Sequence, residues 1–410
     1  MPLAPTASSA LKMRRALGRL RRSPAVQNTA NFFALQHRRA RQRLHGRFVR
    51  GTWLHTSDYL AAHRDRGTYH PGAEPGGHTH VPPPTFILPT TADTLGNHIQ
   101  FTRRPAGIAA LIRPWIVGHS GAVIGRDRHL LWDLSYEWPG RPHSHTAYQF
   151  TRLEATPLAG ITLTLAAMSA DKNYFHFLLN SIARLAYLSA LPAHLVPDRY
   201  LISGPVTPFV LDALALFGIS PDRVIGTADF PALQPEILVA PPIINHPFVV
   251  PDYVCDFLHR SIVGSRRAPP AGRRLFIDRS DARSRRIVNF NELLPVFASL
   301  GLEPVQLAGR SLAEQAALFH DASLIVANHG AALANLVFCR PGTRVIQILA
   351  PGMMEREYRT LSHHGRLHHD YLVAPFAYAA DAHLPRKDRD LILSPDTLVR
   401  AVESPRSICT

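Results

Sequence analysis

The sequence predicts an α/β protein that contains a parallel β-sheet. In the second half of the chain, short apolar runs alternate with helical patterns of about ten residues. These predict strands at 275–277, 304–307, 324–327 and 345–348, and helices at 291–300, 312–319 and 331–338. Such alternation indicates βαβ units with right-handed crossovers. With 410 residues, 46% of them hydrophobic, the chain is long enough for two domains.

The first half shows a weaker pattern of the same kind. It predicts buried β-structure at 158–170, strands at 200–202, 224–225 and 237–239, and a helix at 208–217. Residues 71–89 are dense in proline and glycine, which predicts an irregular connection. A stretch rich in Gly, Pro and Arg at 263–274 suggests an internal boundary. We therefore predict a flexible tail at 1–50 and two domains, at 51–262 and 263–410.

The net charge of +15 is concentrated at the N-terminus. Residues 1–50 contain Lys12, eleven arginines and no acidic residue, so they carry +12 and leave the remaining chain nearly neutral. A neutral body lacks the basic surface expected of a nucleic-acid-binding domain. The three cysteines are far apart and odd in number, which favours a reducing compartment. No apolar stretch reaches the roughly 18 residues that a spanning helix needs.

The basic tail contains a short amphipathic pattern. Met13, Leu17 and Leu20 recur at helical spacing among basic residues. This pattern suits a peripheral helix on an anionic membrane surface. An acid-free, Arg-rich start is also typical of an organellar targeting segment. A solvated disordered tail is the third interpretation, and the sequence leaves all three open.

Two loops that follow predicted strands carry residues suited to phosphate. The loop at 328–332 opens a helix, whose free N–H groups favour an anion. The loop at 278–286 contains Arg279, Arg285 and Arg286, whose guanidinium groups suit bidentate phosphate contacts. Ligands of parallel sheets bind beyond the carboxyl ends of the strands, so the two loops together predict a diphosphate clamp. The alternative for the loop at 328–332 is a tight turn without a ligand, and the alternative for the loop at 278–286 is a solvated charged surface.

A polar stripe interrupts the apolar segment that begins at Asp171. On a helix, Asn173, His176 and Asn180 fall at i, i+3 and i+7 and share one face. Such a stripe either satisfies hydrogen bonds in the core or lines a pocket.

The histidine pairs do not favour a metal site. His364 and His368 have the i, i+4 spacing of a metal-binding helix, but no Glu occupies the position between them that a metalloprotease helix would use. The pairs His78/His80 and His143/His145 lie in or beside Pro-containing segments. We therefore predict that no metal is required.

Taken together, these segments resemble the catalytic region of glycosyltransferase family 61, formerly a domain of unknown function, which is related to capsular polysaccharide and xylan-decorating transferases. The resemblance runs from about residue 173 to 371. Its pieces are Asn-Tyr-Phe-His-Phe-Leu at 173–178, Arg-Leu at 184–185, Gly-Ile at 218–219 before Asp-Arg-Val-Ile at 222–225, Asp-Arg at 278–279, Arg-Arg-Ile-Val-Asn at 285–289, Gln315 before Leu-Phe at 318–319, His-Gly-Ala-Ala-Leu-Ala-Asn at 329–335 and Pro-Gly-Thr at 341–343. The order and spacing of these pieces are specific, although each piece alone is weak.

The resemblance implies a GT-B-like fold, in which two Rossmann-like domains face a cleft. It implies inverting transfer of a hexose or pentose from a nucleotide sugar to a glycan or lipid-linked glycan, with no cofactor and no obligatory metal. The N-terminal domain would hold the acceptor and the C-terminal domain the nucleotide sugar. Donor-binding residues would be Arg279, Arg285, Arg286, His329, Gly330, Ala331 and Asn335.

The chain departs from the family pattern at two positions. Family members usually have an acid four residues after the motif histidine, where this chain has Asn180. An amide cannot take the acceptor's proton, so if that acid is the family's base, this protein is altered or inactive, unless His176 or Asp171 substitutes for it. Phe290 stands where an acid often follows the motif asparagine, although Glu292 lies nearby.

Two other functions compete with the transferase. Asn180 is consistent with a degenerate protein that binds a nucleotide sugar without turnover. The basic tail is consistent with a nucleic-acid-binding protein whose α/β body is inert. For a transferase in polysaccharide biosynthesis, we expect a cytoplasmic location, with the tail at the inner membrane face. Donor sugar, base, acceptor, linkage and oligomeric state cannot be read from the sequence.

The membrane role of the basic tail can be tested by deletion. Deleting residues 1–50 is expected to leave a folded body and to abolish sedimentation with anionic liposomes, because the deletion removes +12 of charge and the apolar stripe. Equal liposome binding by the full-length and truncated proteins would contradict a membrane role.

Overall fold

The described strands form two large sheets and one two-stranded antiparallel sheet. A computed structural model describes residues 47–74, 76–87, 99–103, 106–137, 140–243, 249–267, 272–353 and 356–404. In chain order the strands are β1 Gly51–Trp53, β2 Gly67–Glu74, β3 Gly77–Val81, β4 Thr85–Phe86, β5 Ile99–Arg103, β6 Ala106–Ile112, β7 Trp115–Val117, β8 Ala122–Ile124, β9 His129–Leu131, β10 Thr156–Thr164, β11 Arg199–Ile202, β12 Val224–Gly226, β13 Ala232–Ala240, β14 Arg273–Ile277, β15 Glu303–Val305, β16 Ala322–Asn328, β17 Arg344–Leu349 and β18 His368–Val373.

The main helices lie between these strands. We label them α1 Thr56–Ala62, α2 at 174–190, α3 Pro208–Ala215, α4 Asp252–Leu258, α5 Phe290–Ser299, α6 Leu312–His320, α7 Glu357–His364 and α8 Pro395–Glu403. A 3₁₀ helix, Ala331–Phe338, follows β16. Helix α2 is composite: an α-helical turn at Tyr174–His176, a π-helical turn at Phe177–Ser181 and 3₁₀ turns at Ile182–Ala190.

The second sheet is entirely parallel, in the order β15-β14-β16-β17-β18-β4. Its inner strands are buried on both faces, as expected when helices cover a parallel sheet. Helix α6 begins with a capping box, in which Ser311 and Glu314 bond each other's backbone N–H. The strands predicted at 275–277, 304–307, 324–327 and 345–348 correspond to β14 to β17.

The first sheet is mixed. Strands β13, β10, β11 and β12 are parallel neighbours, and β6 and β7 extend the sheet antiparallel to β13. The α/β prediction is confirmed by the two sheets and their helices, whereas the GT-B arrangement and the domain boundaries stay predictions.

The interpretation of residues 71–89 as an irregular connection is wrong. Strand β3 pairs with β5, and β4 pairs in parallel with β18, so a segment from the first half of the chain forms an edge strand of the second sheet. Long-range pairing, which a local pattern does not reveal, overrides the proline and glycine content here.

One hydrophobic core joins the two halves of the chain. Phe175 and Leu178 of α2 share this cluster with Leu275 of β14 and with Leu333 and Phe338 of the 331–338 helix. The shared core fixes the first sheet's helices against the carboxyl edge of the second sheet, where the predicted phosphate loops lie.

The predicted tail lies outside the described residues except at its end. Val49 is 1% exposed and Phe48 packs edge-to-face on Trp115 at 5.2 Å between ring centroids, so a truncation that tests the tail should stop before Arg47. Among the described residues, none of the helices has the length and apolar character to span a bilayer.

The partly buried ring of His369, whose Nε2 atom is buried without a hydrogen-bond partner among the described residues, is expected to make the protein sensitive to acid. Burial and the nearby Arg359 lower its pKa to about 3, while Ser362 Oγ lies 2.7 Å from Nδ1. The folded-state pKa is below the unfolded value of about 6.5, so this contribution to stability is complete above pH 6.5 and is lost as the pH falls towards 3. At pH 5 the expected loss is about 2 kcal/mol.

His369→Gln is therefore expected to flatten the pH dependence of the free energy of unfolding between pH 7.5 and 5 by about 2 kcal/mol. Urea titrations at both pH values measure it, with the exposed His383→Gln as the matched control. An unchanged pH dependence in His369→Gln would show that the ring is not held neutral.

Candidate functional site

Two half-buried arginines form the centre of the site. Arg279 and Arg285 lie on the loop after β14, and the Nε atom of each is buried without a hydrogen-bond partner in the described chain. Neither forms an ion pair with any described carboxylate. Burial lowers the pKa of both guanidinium groups, and the charge of Arg285 lowers the pKa of Arg279 further. Asp281 and Asp388 interact with these charges only from beyond ion-pair distance, so two like charges in a partly buried position favour a bound anion.

Hydrogen bonds at both ends of the loop fix this arginine pair. Asp278 accepts bonds from the Ser280 backbone N–H at 2.8 Å and from the Gln306 amide at 2.8 Å. Arg285 has a φ of 57°, which is uncommon for a residue with a side chain, and Asn328 Nδ2 donates to its carbonyl at 2.7 Å. Strained backbone that is held in this way is typical of ligand sites.

Gly330 provides the space that Arg279 occupies. A Cβ atom on Gly330 would lie 2.1 Å from Arg279 Nη1 and 2.6 Å from its Cζ. Any side chain would therefore displace the guanidinium group from the start of the 331–338 helix. The glycine of the 328–332 loop is required by this close approach to Arg279.

His329 lies beside the two arginines as a neutral ring. Burial, followed by the charges of Arg285 and Arg279, lowers its pKa to about 3. The Gln347 amide nitrogen donates to His329 Nδ1 at 3.0 Å, so the neutral ring carries its proton on Nε2. A neutral histidine adds no third positive charge and presents an N–H donor.

Aromatic contacts connect this cluster to α2. Tyr358 packs against His329 at 5.3 Å and against Phe175 at 5.7 Å between ring centroids. Phe175 in turn contacts His176 at 5.4 Å. His176 is therefore three ring contacts away from His329, through Tyr358 and Phe175, on the first-sheet side of the site.

The predicted polar face of α2 is only partly formed. Asn173 caps the helix, because its Oδ1 accepts from the Phe175 N–H at 2.9 Å. His176 and Asn180 do share a face and their side chains are hydrogen-bonded, across the π-helical turn. Burial lowers the pKa of His176, and the bond to Asn180 opposes this shift.

Asn335 joins the two halves of the site. Its Oδ1 accepts from the Tyr174 hydroxyl at 2.5 Å, and its Nδ2 donates to Gln315 Oε1 and to the Ala332 carbonyl, both at 3.1 Å. The side chain is fully buried, so it holds the 331–338 helix against α2. Ala331 lies at the start of this helix, beside Gly330.

The structure does not bring Arg286 or Asp171 into the arginine cluster. Arg286 points outward and pairs with Asp390, whose carboxylate also accepts from the Arg286 backbone N–H at 2.9 Å. The left-handed backbone of Arg285, with its φ of 57°, separates the two neighbouring side chains, so that Arg286 reaches Asp390 instead of the cluster. Asp171 pairs with Lys172 at 3.7 Å and packs on Gly204, on the first-sheet side.

The histidines of the second half have structural partners. His364 Nε2 lies 3.0 Å from the Val250 carbonyl, and His369 stacks on Tyr371. The described part of the chain holds no group of three or more His, Cys, Asp or Glu side chains placed to bind a metal ion.

Sequence reasoning missed three residues around the site. Tyr358 and Glu357 begin α7, and no local pattern distinguishes them. Burial raises the pKa of the Glu357 carboxyl group. Gln347 had a usable signal: it is the polar residue within the apolar strand β17, beside the strand that leads to His329.

A cavity of about 520 Å³ adjoins the site between the two halves of the chain. Tyr174 and Phe209 line it from the first half, and Asp281, Ala332 and the 307–311 loop from the second. Its size is typical of small-molecule sites, which measure about 300–1,000 Å³.

Comparison with known proteins identifies one family. Residues 174–346 match the family model described as Glycosyltransferase 61, which is about two fifths of the chain and includes Arg279, Arg285, His329 and His176. No curated protein sequence matches. The family model confirms the resemblance that the motifs indicate: residues 174–346 are similar to glycosyltransferases of family 61, whose activity is the transfer of a sugar.

Proposed function

We propose that the protein is an inverting, metal-independent glycosyltransferase that uses a nucleotide-sugar donor and a glycan or lipid-linked glycan acceptor. The observation that carries the proposal is a pair of arginines at the carboxyl edge of the second sheet whose buried Nε atoms have no hydrogen-bond partner and which form no ion pair with a described carboxylate. A diphosphate leaving group would supply the missing negative charge. The family match supports group transfer at the coarser level.

The leaving diphosphate is the group that these residues are suited to stabilise. As the bond between the sugar's anomeric carbon and the phosphate oxygen breaks, negative charge develops on that oxygen. Arg279 and Arg285 are fixed before the reaction, so they can stabilise this charge without reorganisation. The Nε2–H of His329 is a neutral third donor beside them. In this scheme the arginines take the role that a metal ion has in other transferases.

The 520 Å³ cavity is the proposed location of the donor's nucleoside. It adjoins the 331–338 helix and is lined by Tyr174, by Gln315 and by loop 307–311, in which Gly309 has a φ of 78°. An aromatic ring with polar neighbours is a common setting for a planar base.

The proposed general base is His176. It would take the proton of the acceptor hydroxyl as that oxygen attacks the anomeric carbon, and the opposite face of the carbon would lose the diphosphate. Its lowered pKa keeps the ring neutral, and so able to accept a proton, near pH 7. Glu357, the residue before Tyr358, is a competing base; its carboxyl group is buried, which raises its pKa, and accepts a hydrogen bond from the Arg356 N–H at 3.1 Å.

A degenerate protein that binds the donor without turnover is the second candidate. Asn180, which replaces the family's usual acid and bonds His176, is the observation in its favour. We place the acceptor at a cytoplasmic membrane face, in polysaccharide biosynthesis, because the basic tail suits an anionic surface.

Arg279→Ala and Arg285→Ala are each expected to lose about 2–4 kcal/mol of transition-state stabilisation, because each removes one fixed charge from the leaving group. Arg286→Ala is the matched control: it removes a neighbouring arginine that pairs with Asp390, and it should retain activity. Turnover of the donor in EDTA measures the effect.

Two results would contradict this account of the site. One is an equal loss in all three arginine variants, which would show that the loop contributes only general charge. The other is activity that disappears with EDTA and returns with manganese.

His176→Ala is expected to lower turnover about 10²–10⁴-fold while donor binding remains, because only the proton transfer is lost. Asn180→Asp should retain activity and move the acidic limb of the pH–rate profile to higher pH, since a carboxylate beside His176 stabilises the imidazolium. The turnover of Glu357→Gln is compared with that of His176→Ala to identify the base. A large loss in Glu357→Gln with normal rates in His176→Ala would assign the base to Glu357.

A further inference from the structure

A second cavity, of about 490 Å³, lies on the first sheet, away from the arginine cluster. Most of its lining comes from residues that precede the matched segment, between positions 54 and 136. Four aromatic side chains line it: Tyr69, Phe101, Trp132 and Tyr136. Nothing in the proposed donor chemistry uses these residues.

Contacts with neighbouring residues hold three of the four aromatic side chains in place. Trp132 packs edge-to-face on Tyr136 at 5.4 Å and on His145 at 6.0 Å between ring centroids. The Tyr69 hydroxyl accepts from the Gly107 N–H at 2.7 Å. Because rigid aromatic side chains lose little conformational entropy on binding, these side chains are preorganised for a ligand.

Polar groups lie at the edge of the same cavity. Asp133 accepts from the backbone N–H of Thr56 at 2.9 Å and from its hydroxyl at 2.6 Å, which fixes the start of α1. His55, the residue before Thr56, lines the cavity and is exposed. The cavity therefore offers aromatic faces together with hydrogen-bonding groups.

This combination suits a neutral sugar better than a phosphate. The one lining arginine, Arg103, lies over the Tyr253 ring at 5.7 Å and 3.8 Å from Asp252, so its charge is already compensated. A pyranose ring has a face of C–H bonds that stacks on an aromatic ring, and hydroxyl groups at its edge that need donors and acceptors.

Two contacts connect the cavity to α2. Arg184 Nη1 donates to the Ala166 carbonyl at 2.8 Å, and its Nη2 donates to the carbonyl of Pro241, whose neighbour Pro242 lines the cavity. Tyr253, beneath Arg103, is hydrogen-bonded to Tyr187 of α2 at 2.8 Å between the hydroxyl oxygens. The cavity is thus fixed relative to the helix that carries His176.

We propose that this cavity binds one or two sugar residues of a neutral glycan acceptor, with Trp132 as the stacking surface. The inference rests on the proposed function, since it assigns the acceptor of that reaction. It also assigns acceptor choice to a part of the chain outside the family match.

Saturation-transfer NMR with cellobiose, xylobiose and chitobiose tests the proposal on the full chain. At least one disaccharide is expected to bind. Trp132→Leu should lower the affinity for that disaccharide at least tenfold, because leucine keeps apolar bulk but removes the aromatic face. Trp132→Phe should bind within about threefold of the unaltered protein. Trp115→Leu, which alters a tryptophan that packs on Phe48 outside the cavity, should bind normally.

Melting temperatures of each variant exclude unfolding as the cause, and Phe101→Leu provides a second variant on another wall. Binding of no disaccharide, or equal binding by Trp132→Leu, would overturn the inference. Nucleotide-sugar binding measured on the same samples separates the two proposals. If the donor binds and no disaccharide does, the acceptor cavity is wrong and the proposed function stands. If neither binds, both fail.

Discussion

The site depends on keeping two like charges together without a carboxylate between them. Arg279 and Arg285 repel each other, and their partial burial increases the cost of both charges. Several features of the chain offset that cost. Gly330 leaves room for one guanidinium group, the Asn328 amide holds the backbone of the other arginine, and His329 stays neutral beside both. The arrangement is favourable once an anion binds, which is why its geometry indicates a ligand.

The proposed transfer also requires that the residues assigned to the acceptor and to the donor keep a fixed relation. The hydrogen bond from Tyr174 to Asn335 and the contacts of Tyr358 with Phe175 and His329 connect α2 to the second sheet. These contacts lie in one continuous core, so the two halves of the site are held by packing as well as by polar bonds. Catalysis by proximity requires this fixed geometry, because small displacements of reacting groups are costly.

Much of the second sheet could be predicted from the sequence, because its strands are short apolar runs that alternate with amphipathic helices. The arginine and glycine loops were found for the same reason, since each follows such a strand. The strands at 77–81 and 85–86 were missed because their partners, β5 and β18, are distant in sequence. Arg285 and Arg286 could not be distinguished by composition: only the backbone conformation sends one inward and the other to Asp390. Tyr358 was missed because its role depends entirely on tertiary contacts.

The most direct test of the central claim is thermal stabilisation by nucleoside diphosphates in the presence of EDTA. A ligand that binds only the folded state raises the melting temperature by mass action. The account predicts that at least one of UDP, GDP, CDP and ADP raises it in the unaltered protein without a metal, and that Arg279→Ala abolishes the shift. Absence of any shift, or a shift that requires manganese, would contradict the claim that Arg279 and Arg285 bind the diphosphate.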